Sequence, residues 1–459
     1  MKEKKSEAPR RGNEELFKRD GNPTFGQILP LAAQHVLAAV VGCVTPAILV
    51  ANAANNAGGN VNMGLLIQMS LVFAALSTFL QLYGNKIHLG SGLPVIIGVS
   101  FAYVPTMTAI AAQAQDVNTI FGAMIVGGIV AIIVGLTIKQ IRKVFPPLVI
   151  GTVIFAIGLS LYKTAINYMA GNSANTYEVI VEQRGQTAAL VYGSWQNWLV
   201  SLVTLAIVIG LNHYGKGLFK LASILIGLVC GYVLALCFGM VDFSALSNAG
   251  WFQLPQPFAF GVKFDISAII PLAILFLVNS IQAMGDFSAT TSGGMDRLPT
   301  DQELNGGIIG YGISNIVSAC FGCPPTATYS QNVGIVSTTK VISRRVLGIA
   351  AAILMAAGLI PKFSSILTTI PYCVLGGATI SVFASIAMTG MKLITTEPMD
   401  FRNTTVVGLA VAVGMGVTQA SASLAQFPDW VTTIFGKSPV VLATIVAIVL
   451  NLTLPKAKK

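Results

Sequence analysis

Of the 17 Asp and Glu residues in the chain, all but one fall in tails, loops or the ends of apolar runs. Asp286 alone lies inside such a run, in Gln282-Ala-Met-Gly285-Asp286. A carboxylate at bilayer depth costs about 2.5–3.5 kcal/mol on insertion scales, so it marks an ion or substrate site unless it caps a broken helix. Gln282, four residues earlier, shares its helical face. His35, after Gln34 in another apolar run, can relay protons or hydrogen-bond a neighbouring helix. Two side-chain amides stand together in Gln331-Asn332-Val-Gly334-Ile-Val-Ser-Thr-Thr339-Lys340. An amide sets a donor beside an acceptor, which matches the N–H/C=O edge of a lactam such as xanthine, urate or uracil. Phe101 and Tyr329 can supply aromatic faces for a planar ring. No Lys or Arg adjoins Gln331 or Phe101, which argues against an anion carrier. An intramembrane enzyme using His35 and Asp286 would need a nucleophile or metal that the sequence does not offer. Cys320-x-x-Cys323 has redox or half-zinc spacing but no second pair or His beside it, and reads as packing. No catalytic residue, metal or cofactor is expected.

The elements that must hold these residues are membrane helices. The chain is 54% hydrophobic and 10% charged with mean hydropathy +0.75, against about 25% charged in a soluble domain. That balance excludes an ordinary cytosolic enzyme, a disordered chain and a nucleic-acid-binding module. Hydropathy and Gly/Pro breaks give 14 segments, the first at 25–50, the third at 90–113 and the eighth at 268–289. The ninth to eleventh are read at 305–322, 324–340 and 344–362, and the last at 438–455. With both termini cytoplasmic, 22 of the 27 Lys and Arg residues fall inside and five outside. The net charge of +10 is thus a topology signal, with an anionic lipid surface as its neighbour. The tail 1–22 lacks the apolar core of a signal peptide, so the first span directs insertion.

Seven plus seven spans implies two repeats, the second inserted upside down. The third segment of each half is irregular, at Gly90-Ser-Gly-Leu-Pro-Val-Ile-Ile-Gly-Val-Ser-Phe-Ala-Tyr103 and Cys320-Phe-Gly-Cys-Pro-Pro-Thr-Ala-Thr-Tyr-Ser-Gln-Asn-Val-Gly334. Each predicts an extended stretch breaking into a half-helix. Such backbone is tolerated at membrane depth only where it is buried or lines a cavity, and half-helix N-termini offer free N–H groups to a ligand. The site is therefore expected between segments three and ten.

Gln331-Asn332-x-Gly334-x4-Thr339-Lys340 resembles the signature of the nucleobase–ascorbate transporter family, the nucleobase:cation symporters or xanthine/uracil permeases. Gln34-His35, Ser100-Phe101-Ala102 and Gly285-Asp286 resemble the family's motifs in spans one, three and eight, so the resemblance covers essentially the whole chain. It implies an all-α fold of two inverted seven-span repeats, an elevator-type movement and a homodimer; the short loops and the lack of a targeting signal fit a bacterial inner membrane. After the cytoplasmic tail 1–22, the core domain would comprise 25–140 and 268–362, and the gate domain 146–240 and 366–455. Gln331 would hold the base edge together with Gln282, Asn332 would brace the site and Phe101 would stack. Gln at 331 is the pattern of purine members, so xanthine or urate is expected before uracil. Two positions depart from the family. Gln282 stands where the family has a proton-linked Glu, and Tyr311 where many purine members have an Asp. Proton symport through Asp286 is expected before sodium symport, and an uncoupled carrier stays open.

Overall fold

The computed structural model describes residues 14–455 apart from 139–145, 178–189, 244–245, 247–248, 429–430, 433–434 and 437. Most of the expected tail, and the topology-setting Lys139, Arg142, Lys143, Arg184, Lys437, Lys456, Lys458 and Lys459, lie outside the described residues. The first half contains α1 (Phe25–Asn56), α2 (Met63–Tyr83), strand β1 (Ile97–Val99), α3 (Val104–Ala114), α4 (Asn118–Leu136), α5 (Pro147–Met169), α6 (Trp195–Tyr214) and α7 (Ser223–Cys237). The second contains α8 (Ile266–Met295), α9 (Asp301–Cys320), strand β2 (Thr326–Thr328), α10 (Ser330–Thr339), α11 (Arg344–Gly358), α12 (Tyr372–Ile394), α13 (Phe401–Gln419) and α14 (Pro439–Thr453). Among the described residues, eight helices are long and apolar enough to cross a membrane. A ninth is counted if α11 and the short helix Pro361–Thr368, bent by 77°, form one span. The chain is thus a multi-pass, all-helical membrane protein with one small strand pair.

The two irregular stretches meet. β1 pairs antiparallel with β2, Gly98 opposite Ala327, and all six strand residues are buried. The ladder extends one residue each way, through Ser100 N to Pro325 O (2.9 Å) and Tyr329 N to Ile96 O (3.0 Å). A two-stranded sheet leaves two outer edges, which are unaffordable inside a membrane unless paired. Thr78 of α2 closes one, its hydroxyl accepting from Ile97 N at 2.9 Å and sharing its single proton between Ala74 O (2.8 Å) and Ile97 O (3.2 Å). Asn315 of α9 closes the other, accepting from Thr326 N at 2.8 Å and donating to Thr326 O at 3.2 Å. Gly98 is required by close approach, because a Cβ there would lie 2.4 Å from the Tyr329 ring.

Helix packing around this pair is regular. α2 packs on α11 and α4 on α9, α1 on α11 and α8 on α4, α1 on α3 and α8 on α10, and α6 on α7 and α13 on α14. α5 and α12 pack on each other through small residues, as membrane helices do. A Cβ on Gly158 would meet Ala387 N at 2.4 Å, and one on Gly390 would meet Phe155 N at 2.3 Å. Trp195 and Tyr214, at the two ends of the 20-residue α6, are both exposed, the placement of interfacial aromatic belts.

Several boundaries differ from the hydropathy reading. α8 continues to Met295 because Ser288, Thr290, Thr291 and Ser292 each return a hydroxyl bond to the carbonyl four residues back, which lets polar residues stay helical. α9 begins at Asp301, where Thr300 and Glu303 form a capping box whose polarity reads as loop. Segment eleven is bent after Gly358, and Pro361 starts the next helix. On the tail side, Leu16 O accepts from Ile342 N and Ser343 N, and Arg344 pairs with Asp20. The Arg344 guanidinium holds the Asp20 carboxyl below the usual carboxylate range.

Candidate substrate site

The break between β2 and α10 is fixed by Asp286. Its carboxylate, in the wall of α8 and buried, accepts from the Thr328 hydroxyl at the end of β2 and from the Ser330 hydroxyl (2.7 Å) that opens α10. Both partners are neutral hydroxyls, and no ion pair among the described residues reaches Asp286. The carboxylate therefore spans the discontinuity and fixes the direction in which α10 leaves it.

α10 then presents its two amides in opposite ways. Asn332 is fully buried, and its Nδ2 donates to His35 Nδ1 (3.0 Å) and His35 O (3.1 Å) on α1. The His35 carbonyl can only accept, so the amide end facing it carries the protons, and the imidazole proton must sit on Nε2. Asn332 Oδ1 is buried without a hydrogen-bond partner among the described residues. Gln331, by contrast, is exposed, and its amide bonds to no described residue. Gln282 is half-buried and likewise leaves its amide free among the described residues. α8 packs against α10, β2 and the helical turn Phe101–Tyr103, so the free amides and Phe101 lie on elements in mutual contact.

The aromatic residues divide similarly. Phe101 is buried with its ring 5.5 Å from Phe383 of α12, edge to face at 74°. Tyr329 is committed to packing, its ring against Gly42 and Gly98 and its hydroxyl donating to Val99 O at 2.7 Å. Tyr311 is buried with its hydroxyl paired to that of Tyr103 in the helical turn Phe101–Tyr103, and both rings pack on Phe276. Among the described residues no cluster of His, Cys, Asp or Glu is arranged to hold a metal ion.

The sequence reading named the amides, Phe101 and Asp286, but not the neighbours that the structure places against Asp286 and Phe101. Thr328, Ser330 and Phe383 carried no signal of their own. The first two are small hydroxyls flanking the expected break, where an intramembrane Asp needs donors, and that requirement could have pointed to them.

This is the architecture of a membrane carrier with crossed, broken helices. The fold resembles the transmembrane domain of the cyanobacterial bicarbonate transporter BicA, with TM-score 0.57 at 17% identity, covering 92% of this chain and 97% of that one. It also resembles the murine anion transporter Slc26a9 in its inward-facing state, with TM-score 0.58 at 13% identity, covering 98% and 73%. Residues 26–423 match the xanthine/uracil-type permease family, and the chain belongs to this nucleobase–ascorbate transporter family. The xanthine permease XanQ of Escherichia coli (strain K12) is 30% identical over 457 residues, covering 97% of this chain and 94% of XanQ. The uric acid permease PucJ of Bacillus subtilis (strain 168) is 32% identical over 431 residues, covering 93% and 92%. The family is one of permeases, not enzymes.

Proposed function

We propose that this permease carries a purine base of the xanthine or urate class across the bacterial inner membrane, with both termini cytoplasmic, by cation symport. The observation that carries the reading is the pair of unengaged amides, Gln331 at the start of a half-helix and Gln282 on the helix beside it. A planar lactam base meets such amides through matched donor–acceptor pairs, and a site of this kind rejects analogues lacking the matching group. Phe101 offers the ring face, Asn332 and His35 brace α10 behind Gln331, and Tyr329 supports the strand crossing. The names of the relatives XanQ and PucJ support the purine class.

Asp286 is the proposed coupling group. Among the described residues it is the one carboxylate deep in a span, and its hydroxyl partners join it to the break from which Gln331 leaves. Gln282 cannot titrate, so a proton is more readily assigned to Asp286 than to the substrate amide. A sodium-coupled or uncoupled carrier is the second reading, favoured by the same substitution.

The proposed movement is an elevator in which a core (25–140 and 268–362) slides against a gate (146–240 and 366–455). Its support is the packing pattern, since moving the segment labels by seven converts α2–α11 into α9–α4, α1–α11 into α8–α4, α1–α3 into α8–α10 and α6–α7 into α13–α14, as two inverted repeats require. A homodimer held through the gate is proposed with it. The test is uptake of labelled xanthine and urate into proteoliposomes with and without an inward proton gradient. Accumulation above equilibrium only with the gradient is expected. Equilibration alone turns the reading to sodium or a facilitator, and no uptake of either base overturns the purine assignment.

A further inference from the structure

We propose that the segment 249–264, between α7 and α8, is a lipid-facing strap seated in the interfacial layer of the bilayer. Its composition is the first observation. From Ala249 to Phe264 the only charged residue is Lys263, while Trp251, Phe252, Leu254, Phe258 and Phe264 are each 59–74% exposed. A contiguous apolar surface of this kind is not one that water covers without cost.

Its backbone is the second observation. The segment is neither helix nor strand, and it contains Pro255 and Pro257. Backbone without ladder partners is excluded from the hydrocarbon layer. Too apolar for water and too open for hydrocarbon, the strap fits the headgroup boundary, where aromatic rings concentrate.

Its attachment fixes the depth. Gln253 N donates to Leu359 O (3.1 Å), Phe258 N to Cys320 O (2.6 Å) and Lys263 N to Asn118 O (3.1 Å). These acceptors lie at the end of α11, the end of α9 and the start of α4, so the strap runs along a plane of helix ends. Phe260 alone among the strap's aromatics turns inward, its ring 5.9 Å from Phe121 and so close over Gly322 that a Cβ there would lie 2.3 Å away. Phe258 holds a left-handed φ of +57°, an uncommon conformation for a bulky side chain, and the ring is exposed. Val229, Val233 and Leu236 on α7, before the strap, and Ile266 and Ile270 on α8, after it, are also exposed, as residues facing the same bilayer would be. Lys362 Nζ, 4.0 Å over the Trp251 ring, and exposed Lys263 supply cations for lipid phosphates at that level.

The test uses the full-length protein with Trp195, Trp198 and Trp430 changed to Phe, leaving Trp251 as the reporter, in phosphatidylcholine–phosphatidylglycerol vesicles. Expected is loss of about half the Trp251 emission to lipids brominated near the headgroup, a smaller loss to lipids brominated near the chain end, and little loss to iodide, as interfacial placement requires. Strong quenching by iodide with none by brominated lipid puts the strap in water and overturns the proposal. Protection from all three quenchers also overturns it, since a second copy of the chain would then cover the strap. Should the reporter variant fail to assemble, Phe252→Trp combined with Trp251→Phe and the same three changes reads the neighbouring position by the same criteria.

Discussion

Gln282 and Asp286 occupy one face of α8 one turn apart, yet the structure gives them opposite circumstances. Asp286 is engaged by two hydroxyls and Gln282 by none. Replacing Gln282 with Glu puts a titratable group on α8, which packs against the α10 that carries Gln331, so Gln282→Glu is expected to keep substrate binding and make uptake steeper in pH. Binding that persists with an unaltered pH profile would remove Gln282 from any account of coupling. Asp286→Asn keeps an acceptor oxygen for one of the two hydroxyls and offers an N–H to the oxygen of the other, so the break should hold while proton exchange stops. The expected result is uptake that equilibrates but no longer accumulates, read as the ratio of internal to external base at steady state. Full accumulation in that variant would return Asp286 to a purely structural part. At this scale the sequence was readable because membrane burial makes a lone carboxylate or amide conspicuous. Small hydroxyls such as Thr328 and Ser330 are common in spans and stay silent until an acceptor is placed against them.

At the scale of elements, the strand pair depends on side chains borrowed from helices. Asn315 serves both the N–H and the C=O of Thr326. Asn315→Leu keeps the branched shape of the side chain, though bulkier, but orphans both groups, at a cost of about 1–3 kcal/mol each. A lowered thermal midpoint in detergent is expected, and an unchanged midpoint would show that water or another side chain replaces the amide. The extended stretches were legible because Gly and Pro cluster in residues 90–103 and 320–334 and predict no helix. Their pairing was not, because antiparallel register between segments so far apart leaves no periodic trace. Helix ends were read too short for a related reason. The hydroxyls late in α8 and the capping box of α9 look polar to a hydropathy count, although each satisfies backbone inside its helix. Tyr329 was expected to offer a stacking face, but the glycines at 42 and 98 draw its ring into the packing, a consequence visible only in three dimensions.

At the scale of the molecule, two contacts join the proposed core to the proposed gate near the site. They are the Phe101–Phe383 ring pair and the buried hydroxyl bond between Thr106 and Ser438, 2.7 Å long. If transport moves core against gate, Thr106→Cys with Ser438→Cys, in a chain whose exposed Cys230 and Cys237 are Ser, should lose uptake on oxidation and regain it on reduction. Unimpaired uptake by fully cross-linked protein would exclude that movement. The strand crossing carries a different consequence, one for biogenesis. Tyr329 bonds to the carbonyl of Val99, a residue made 230 positions earlier, and β1 has no neighbour on that side until β2 arrives. A ribosome that has delivered the chain as far as α7 has therefore inserted a half-protein whose strand waits, open-edged, in the membrane. Completion of the second half is what ends that exposure, so the two halves are obligate folding partners however separately their helices insert.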